Sequence, residues 1–356
     1  MIASKFRYDK LEFTNPKTSS QSTEFITKRR DSTTKRTIKH NWRANKRRIS
    51  STNRTDKIEF QTCVLVVCIF DWHVFLVVFQ LRRNVFHCAC YGANFVLTIR
   101  QTVSMLLAIC LILSVTLFFV SLLLISIAHK PLPVKNGSRC LLLIAHPDDE
   151  CMFFGPTLLN LVRNRCELYV LCISTGNADG LGTTRTSELV AACKQLGIPS
   201  QFLTIMNFDG LKDGDCKWET EKLARIVLQH AERLDIEVII SFDGRGVSSH
   251  SNHIACFHAL QFLYTNGHIP SGTQIFVLET VSIFRKYVGI FDVHCSYMSP
   301  TFMLCAAPWT VWLAMRKHRS QLVWFRYLYM IFSRYVMINT LKRISLHRLM
   351  VSKRSR

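Results

Sequence analysis

Two short clusters of His and Asp are the residues of this chain best suited to chemistry. Ala145-His146-Pro147-Asp148-Asp149-Glu150 places one imidazole beside three carboxylates, and His250-Ser251-Asn252-His253 adds two more imidazoles. Each cluster follows an apolar run, Cys140–Ile144 and Val238–Phe242, that reads as a buried parallel strand. In an open α/β sheet, ligands bind beyond the carboxyl ends of the strands. Two such clusters can therefore converge on one site, and His with Asp suits a divalent metal such as zinc.

The spacing suggests roles. His146 and Asp149 are three residues apart at a turn entering a helix, which can aim both side chains at one point. His253 would supply a third ligand from the other loop. Three protein ligands leave an open position, the mark of a catalytic rather than a structural zinc site. Asp148 is then free to take a proton from water, and His250 can donate to a developing oxyanion or leaving amine. Those parts suffice for metal-assisted amide hydrolysis. Taken singly, each piece is ordinary. A lone Asp-Asp usually caps a helix, and a lone His-x-x-His is usually structural. The strand-end motif joined to the distal pair is far more specific.

The elements that must position these residues alternate β and α. Strand Cys140–Ala145 leads to a helix near Met152–Val162. Strand Leu168–Ser174 leads through a glycine-bearing loop, 176–182, to a helix near Arg185–Leu196. Strand Gln201–Ile205 leads to a helix near Glu219–Leu234, and strand Val238–Phe242 to one near Asn252–Leu263. Strand Gln274–Glu279 closes the set. This predicts a Rossmann-like, three-layer α/β domain with a parallel sheet, spanning 138–283.

Other segments frame that domain. Hydrophobic residues make up 49% of the 356, which points to a membrane segment beside a folded core. From Gln101 to Ala128 no residue is charged. This predicts an N-terminal transmembrane helix over 101–129, since about 20 apolar residues cross a bilayer. A run from Cys63 to Leu81 is a poorer candidate, because Asp71 would cost about 2.5–3.5 kcal/mol at mid-bilayer. The formal net charge is +21, and residues 1–58 hold 16 Lys/Arg against 5 Asp/Glu, or +11 of it. That stretch reads as a solvated basic segment rather than a nucleic-acid arm. Met105 opens the span, so a chain starting there would carry its own signal anchor. Residues 1–100 are expected to be a disordered or non-native extension. Pro131, Pro133 and Gly137 mark a linker after the span. The 14 cysteines show no CxxC spacing and read as free thiols. From 284 to 356 aromatic, aliphatic and basic residues mix, as in Trp309, Trp312, Arg316, Lys317, Trp324 and Arg326. That suits a membrane-proximal surface segment or packing onto the α/β core.

The strand-end hexapeptide resembles the signature of zinc-dependent de-N-acetylases acting on N-acetylglucosamine conjugates. The similarity extends through Met152-Phe153-Phe154, Gly176-Asn177, Thr184-Arg185, Glu188-Leu189 and Leu196-Gly197-Ile198-Pro199. It continues in Phe242-Asp243, Gly246-Val247-Ser248 and the 250–253 cluster, and covers roughly Met105 to Leu341. Arg245 departs from it, at a loop position where a small residue is expected. Within the family the chain is most similar to members acting on N-acetylglucosaminyl-phosphatidylinositol in glycosylphosphatidylinositol-anchor synthesis. The resemblance implies His146, Asp149 and His253 as ligands of Zn2+ or another divalent metal, with Asp148 as general base and His250 as the oxyanion-stabilising acid. It implies that Arg185 contacts the substrate's phosphate or inositol. The implied partners are a glycolipid substrate, the membrane and other enzymes of anchor synthesis. The implied place is the endoplasmic reticulum membrane, with a cytosolic catalytic domain. The rivals are a de-N-acetylase of another conjugate, such as a thiol-sugar precursor, and a non-catalytic membrane scaffold.

Overall fold

The computed structural model describes residues 93–214 and 217–345, with side chains from residue 97 onward. The Cys63–Leu81 run, the basic segment 1–58 and residues 346–356 lie outside the described residues.

Helix α1, Ala93–Ile127, covers the predicted span 101–129 except its last two residues. Its stretch Leu97–Ile127 has a mean hydropathy of 2.9 over its most apolar window, of which only 6% is buried. Leu111, Ile112 and Phe119 are all more than 60% exposed, where the core helix of a soluble domain would hide them. At ~1.5 Å per residue the stretch is about 46 Å long, enough to cross a hydrocarbon layer of ~30 Å. Ser114 and Ser126 are satisfied within the helix, donating to the carbonyls of Cys110 and Leu122 at 2.8 and 3.0 Å.

Beyond the span lies a seven-stranded sheet in the order β3-β2-β1-β4-β5-β7-β6. The strands are β1 Arg139–Ile144, β2 Glu167–Cys172, β3 Leu203–Ile205, β4 Val238–Phe242, β5 Gln274–Leu278, β6 Phe302–Cys305 and β7 Ile338–Arg343. The first five are parallel. Central β1 pairs Leu142 with Val170 on one side and with Ile240 on the other. Its residues are apolar without alternation because helices cover both faces.

The helices after these strands are α2 Asp149–Met152, α3 Gly155–Arg163, α4 Gly182–Gln195, α5 Thr220–Arg233 and α6 Ser251–Thr265. The chain steps outward from β1 through β2 to β3, then returns to β4 and steps the other way. Right-handed crossovers therefore put α3 and α4 on one face and α5 and α6 on the other. The order reverses between β1 and β4, whose carboxyl ends carry the two His/Asp clusters. That junction is the switch point where an α/β sheet opens a crevice.

The sheet does not stop at residue 283, where the β/α pattern ends. Helices α7 Ile283–Tyr287, α8 Val293–Tyr297, α9 Pro308–Met315 and α10 Trp324–Phe332 follow, and β6 and β7 join as antiparallel strands. Strand β7 escapes an apolar-pattern reading because it carries Asn339 and Thr340, both fully buried. Asn339 is satisfied there: its Oδ1 accepts from Thr157 N and Oγ1 at 3.1 and 2.7 Å, and its Nδ2 donates to the Phe153 carbonyl at 2.8 Å.

The stretch after the span also departs from a free linker. Lys130 exchanges two backbone hydrogen bonds with Met303 of β6, each 2.9 Å. Ala128 is buried with Val293, Met303, Cys305 and Ile338. The end of α1 is thus fixed to the sheet edge.

Candidate functional site

The two clusters meet at the switch point. The turn after β1 closes on Asp149, whose Oδ2 accepts the backbone N–H groups of Ala145 and His146 at 3.1 and 2.9 Å. Asp148 sits in the left-handed region, at φ 104° and ψ −21°. Such a conformation is strained for a non-glycine residue and persists only where its surroundings fix it. Here Glu150 Oε2 accepts the Asp148 N–H at 3.0 Å, and Glu150 Oε1 is held by His318 Nε2 at 2.6 Å. Glu150 and His318 are both fully buried.

The loop after β4 is organised by Asp243. Its carboxylate accepts the N–H groups of Arg245, Gly246 and Thr280 at 3.0, 3.1 and 2.8 Å. Thr280 Oγ1 in turn accepts the N–H of Val247, a β-branched residue held at φ 61°. Gly246 has φ +59°, and a Cβ there would approach His253 Cβ at 3.0 Å. Arg245, the departure from the expected small residue, is exposed and bonds the Thr280 carbonyl, away from the imidazoles.

His146, His250 and His253 offer ring nitrogens that lie within 4.8 Å of one another. His253 stacks on Phe242 with ring centroids 4.0 Å apart and planes at 1°. Its Nδ1 is 3.1 Å from the Gly246 carbonyl, so Nδ1 carries a proton and Nε2 is the atom left to face a metal. Nε2 is 3.2 Å from Asp149 Oδ1 yet makes no hydrogen bond of good geometry among the described residues. A ring nitrogen and a carboxylate oxygen at that distance are held by a proton or by a metal cation between them. The donors therefore fit a divalent metal. On the other side, His146 Nε2 is 3.1 Å from Asp213 Oδ1, while its Nδ1 lies 3.7 Å from Asp149 Oδ2. A carboxylate behind an imidazole fixes its tautomer and orientation.

Electrostatics follow the packing. Burial alone would raise the Asp149 carboxyl, but His253 and His146 outweigh it and hold the group below the usual carboxylate range. Burial likewise works against the Asp213 carboxylate, and the hydrogen bond and charge of His146, with Arg185, bring it down to about 2. His250 is pushed down to about 4, by burial first and then by His253 and His146. It is therefore neutral near pH 7. Its Nδ1 accepts the Asn252 N–H at 3.3 Å, which leaves the proton on Nε2 as a donor.

Asp148 and Arg185 are arranged less simply. Arg185 is buried in the first turn of α4, not facing solvent. It donates to the carbonyls of Gly176 and Pro147, each at 2.8 Å, and so braces the turn after β1. Gly176, at φ +67°, has no room for a Cβ, which would fall 2.4 Å from the Arg185 guanidinium. Asp148 Oδ2 faces Arg185 Nη2 at 3.5 Å and Arg326 Nη1 of α10 at 2.5 Å. Arg326, Asp213, His318 and Asp243 are neighbours that sequence spacing does not single out. Asp213 had one signal, its place in a strand-to-helix loop. His318 lies in the tail stretch 318–322, which resembles the family more weakly, whereas Arg326 had no signal as a site residue.

Fold and cluster define an α/β protein with a buried candidate metal centre at its switch point. A family model described as GlcNAc-PI de-N-acetylase matches residues 141–263. The N-acetylglucosaminyl-phosphatidylinositol de-N-acetylase of Bos taurus is 44% identical over 211 residues, which cover 58% of this chain and 83% of that protein. A protein of Schizosaccharomyces pombe described as a probable N-acetylglucosaminyl-phosphatidylinositol de-N-acetylase is 39% identical over 216 residues, covering 57% of this chain and 86% of its own length. The solved N,N'-diacetylchitobiose deacetylase of Pyrococcus horikoshii aligns with a TM-score of 0.43 at 16% identity, over 58% of this chain and 84% of that one. The chain belongs to the GlcNAc-PI de-N-acetylase family.

Proposed function

We infer that this chain hydrolyses the acetamide of N-acetylglucosaminyl-phosphatidylinositol, giving acetate and the glucosaminyl lipid, as a step of glycosylphosphatidylinositol-anchor synthesis. The observation that carries the reading is His253 Nε2 facing Asp149 Oδ1 at 3.2 Å, with no hydrogen bond among the described residues, in a chain 44% identical to a relative of that name. His146, Asp149 and His253 would hold the metal, for which zinc is the proposal. A bound zinc ion would polarise the amide carbonyl and acidify water.

The remaining work falls to the protein. Asp148, in its strained turn, takes the proton of the attacking water. The neutral His250 presents Nε2–H to the oxygen on which charge develops. The proton held by Asp148 then passes to the leaving amine. Asp213 holds His146 through Nε2. Arg185 keeps the Pro147 carbonyl, and so the turn, in register, and its further role is contact with the substrate's phosphate or inositol.

The α/β unit, beginning near residue 138, is proposed as the catalytic domain, and α1 as its anchor in the endoplasmic reticulum membrane with the domain on the cytosolic side. The test is deacetylation of N-acetylglucosaminyl-phosphatidylinositol by membranes carrying this protein, with and without a chelator. Turnover that the chelator abolishes and added zinc restores is the expected result. Absence of turnover with metal present overturns the reading.

A further inference from the structure

The exposed apolar side chains of the tail are not scattered. On α10, Tyr329 and Met330 are buried while Trp324, Tyr327 and Ile331 are 59%, 44% and 50% exposed. Helix α9 exposes Trp309 at 75%, and its Trp312 Nε1 donates to the Met330 carbonyl of α10 at 3.2 Å. Helix α7 exposes Phe284 at 62%, and its Tyr287 packs edge-on against Tyr329. Next along the chain, Met298 is 83% exposed. These elements touch in succession, α9 to α10 through the Trp312–Met330 hydrogen bond, then α7 and the turn 289–292, and that turn and α8 pack against α1.

The contact with α1 says what covers this face. Ser121, inside the apolar stretch, is fully buried and lies 3.0 Å from His294 Nε2 of α8. Ser121 is six residues before Ile127, so α8 meets the span about 9 Å short of its end. Lys130 ties the same corner by donating to the carbonyls of Tyr297 and Ser299 at 2.6 and 3.1 Å. Lys130, three residues past the helix end, is bridged to Met303 of β6, which ties the domain to the end of the span. Leu122, Leu123 and Ile127 remain 40%, 59% and 65% exposed beside this corner, so the apolar surface of the span runs on into the tail. Exposed Trp and Tyr with flanking Arg and Lys is the composition of a segment at the headgroup level.

We propose that α7 to α10 form a monotopic membrane face, continuous with α1, whose occupant is the phospholipid bilayer. The inner side of α10 carries Arg326 onto Asp148, and Tyr329 donates to the Met152 carbonyl at 3.0 Å. One helix therefore joins the bilayer surface to the candidate site. A lipid-linked amide could then be reached without leaving the membrane. This deepens the lipid-substrate reading and rests on it for the activity measurement alone.

The test uses the full chain in phosphatidylcholine vesicles doped with a phospholipid bearing a photoreactive diazirine on its acyl chain. Labelled peptides are mapped by mass spectrometry. Label on peptides covering 283–298 and 309–332, and none on those covering α5, is the expected result. Label confined to 97–127 overturns the proposal, as does protection of the tail peptides by a second copy. In parallel, the variant Phe284→Ser/Trp309→Ser/Trp324→Ser should raise KM about tenfold or more for vesicle-borne substrate, since each serine removes an apolar side chain from the bilayer. Its kcat on a water-soluble N-acetylglucosaminyl-inositol phosphate should be unchanged. Equal KM for the two proteins on vesicles counts against the face. Inactivity of the unmodified chain on both substrates would instead defeat the enzymatic reading, with the labelling result unaffected.

Discussion

Replacing His318 with alanine is expected to destabilise the domain without touching a proposed metal ligand. His318 Nε2 and Glu150 Oε1 are 2.6 Å apart, and both side chains are 0% exposed. Removing the imidazole leaves a buried carboxylate with the Cys151 thiol at 3.0 Å and the Asp148 N–H at 3.0 Å as its remaining donors. Breaking a buried pair in this way costs about 3–5 kcal/mol. For a domain of about 200 residues, each kcal/mol lowers Tm by roughly 2–4 °C, so a fall of about 6–20 °C is expected. His318→Gln retains a donor and should recover part of the loss. Glu150→Gln paired with His318→Ala removes the orphaned charge and should cost less than His318→Ala alone. The assay is thermal unfolding of the full chain in detergent micelles, followed by near-ultraviolet circular dichroism, with metal content measured on the folded fraction. A Tm within about 2 °C of the parent for His318→Ala would refute the reasoning, because a fully desolvated partner cannot be lost at so small an effect.

His146→Ala, Asp149→Ala and His253→Ala should each lose bound metal by elemental analysis, and full occupancy in any one would remove that residue from the ligand set. Asp148→Asn should keep the metal and lose about 10²–10⁴-fold in turnover, whereas near-normal turnover would exclude it as the base. Asp213→Asn should weaken metal affinity about 10–100-fold by loosening His146, read by competition with a chromophoric chelator, and an unchanged affinity would discount the contact. Burial raises the Glu279 carboxyl, but its ion pair with Lys342 outweighs this and holds it below its ordinary value of 4.5. Its stabilising contribution is therefore present above that value and fades as pH falls through the lowered one. Glu279→Gln should flatten that acid-side slope in denaturant titrations, and an identical slope would show that the pair contributes nothing.

The sequence alone determined the elements whose pattern is local. Five apolar runs without alternation specify strands covered on both faces, and the uncharged run 101–128 specifies a helix that nothing in the domain needs to cover. It also named the two strand-end clusters as candidates, whereas the strand order that sets the ends of β1 and β4 side by side came only with the tertiary structure. Even Arg185 and Asp148 were nameable, though not their state. The tertiary structure decided that Arg185 is buried and braces the turn at Pro147, and that Asp148 is held left-handed through Glu150. It also brought in Asp213, His318 and Arg326, since a polar residue acquires its meaning from partners far along the chain. His318 lies 168 residues from Glu150, and Arg326 lies 178 from Asp148. Strand β7 was hidden for the same reason. Its polar Asn339 is buried because the backbone of Phe153 and the side chain of Thr157 supply its hydrogen bonds, and Thr340 Oγ1 accepts from Arg334. Periodicity reports which face of an element avoids water, whereas the satisfaction of a buried polar group depends on where the rest of the chain comes to lie.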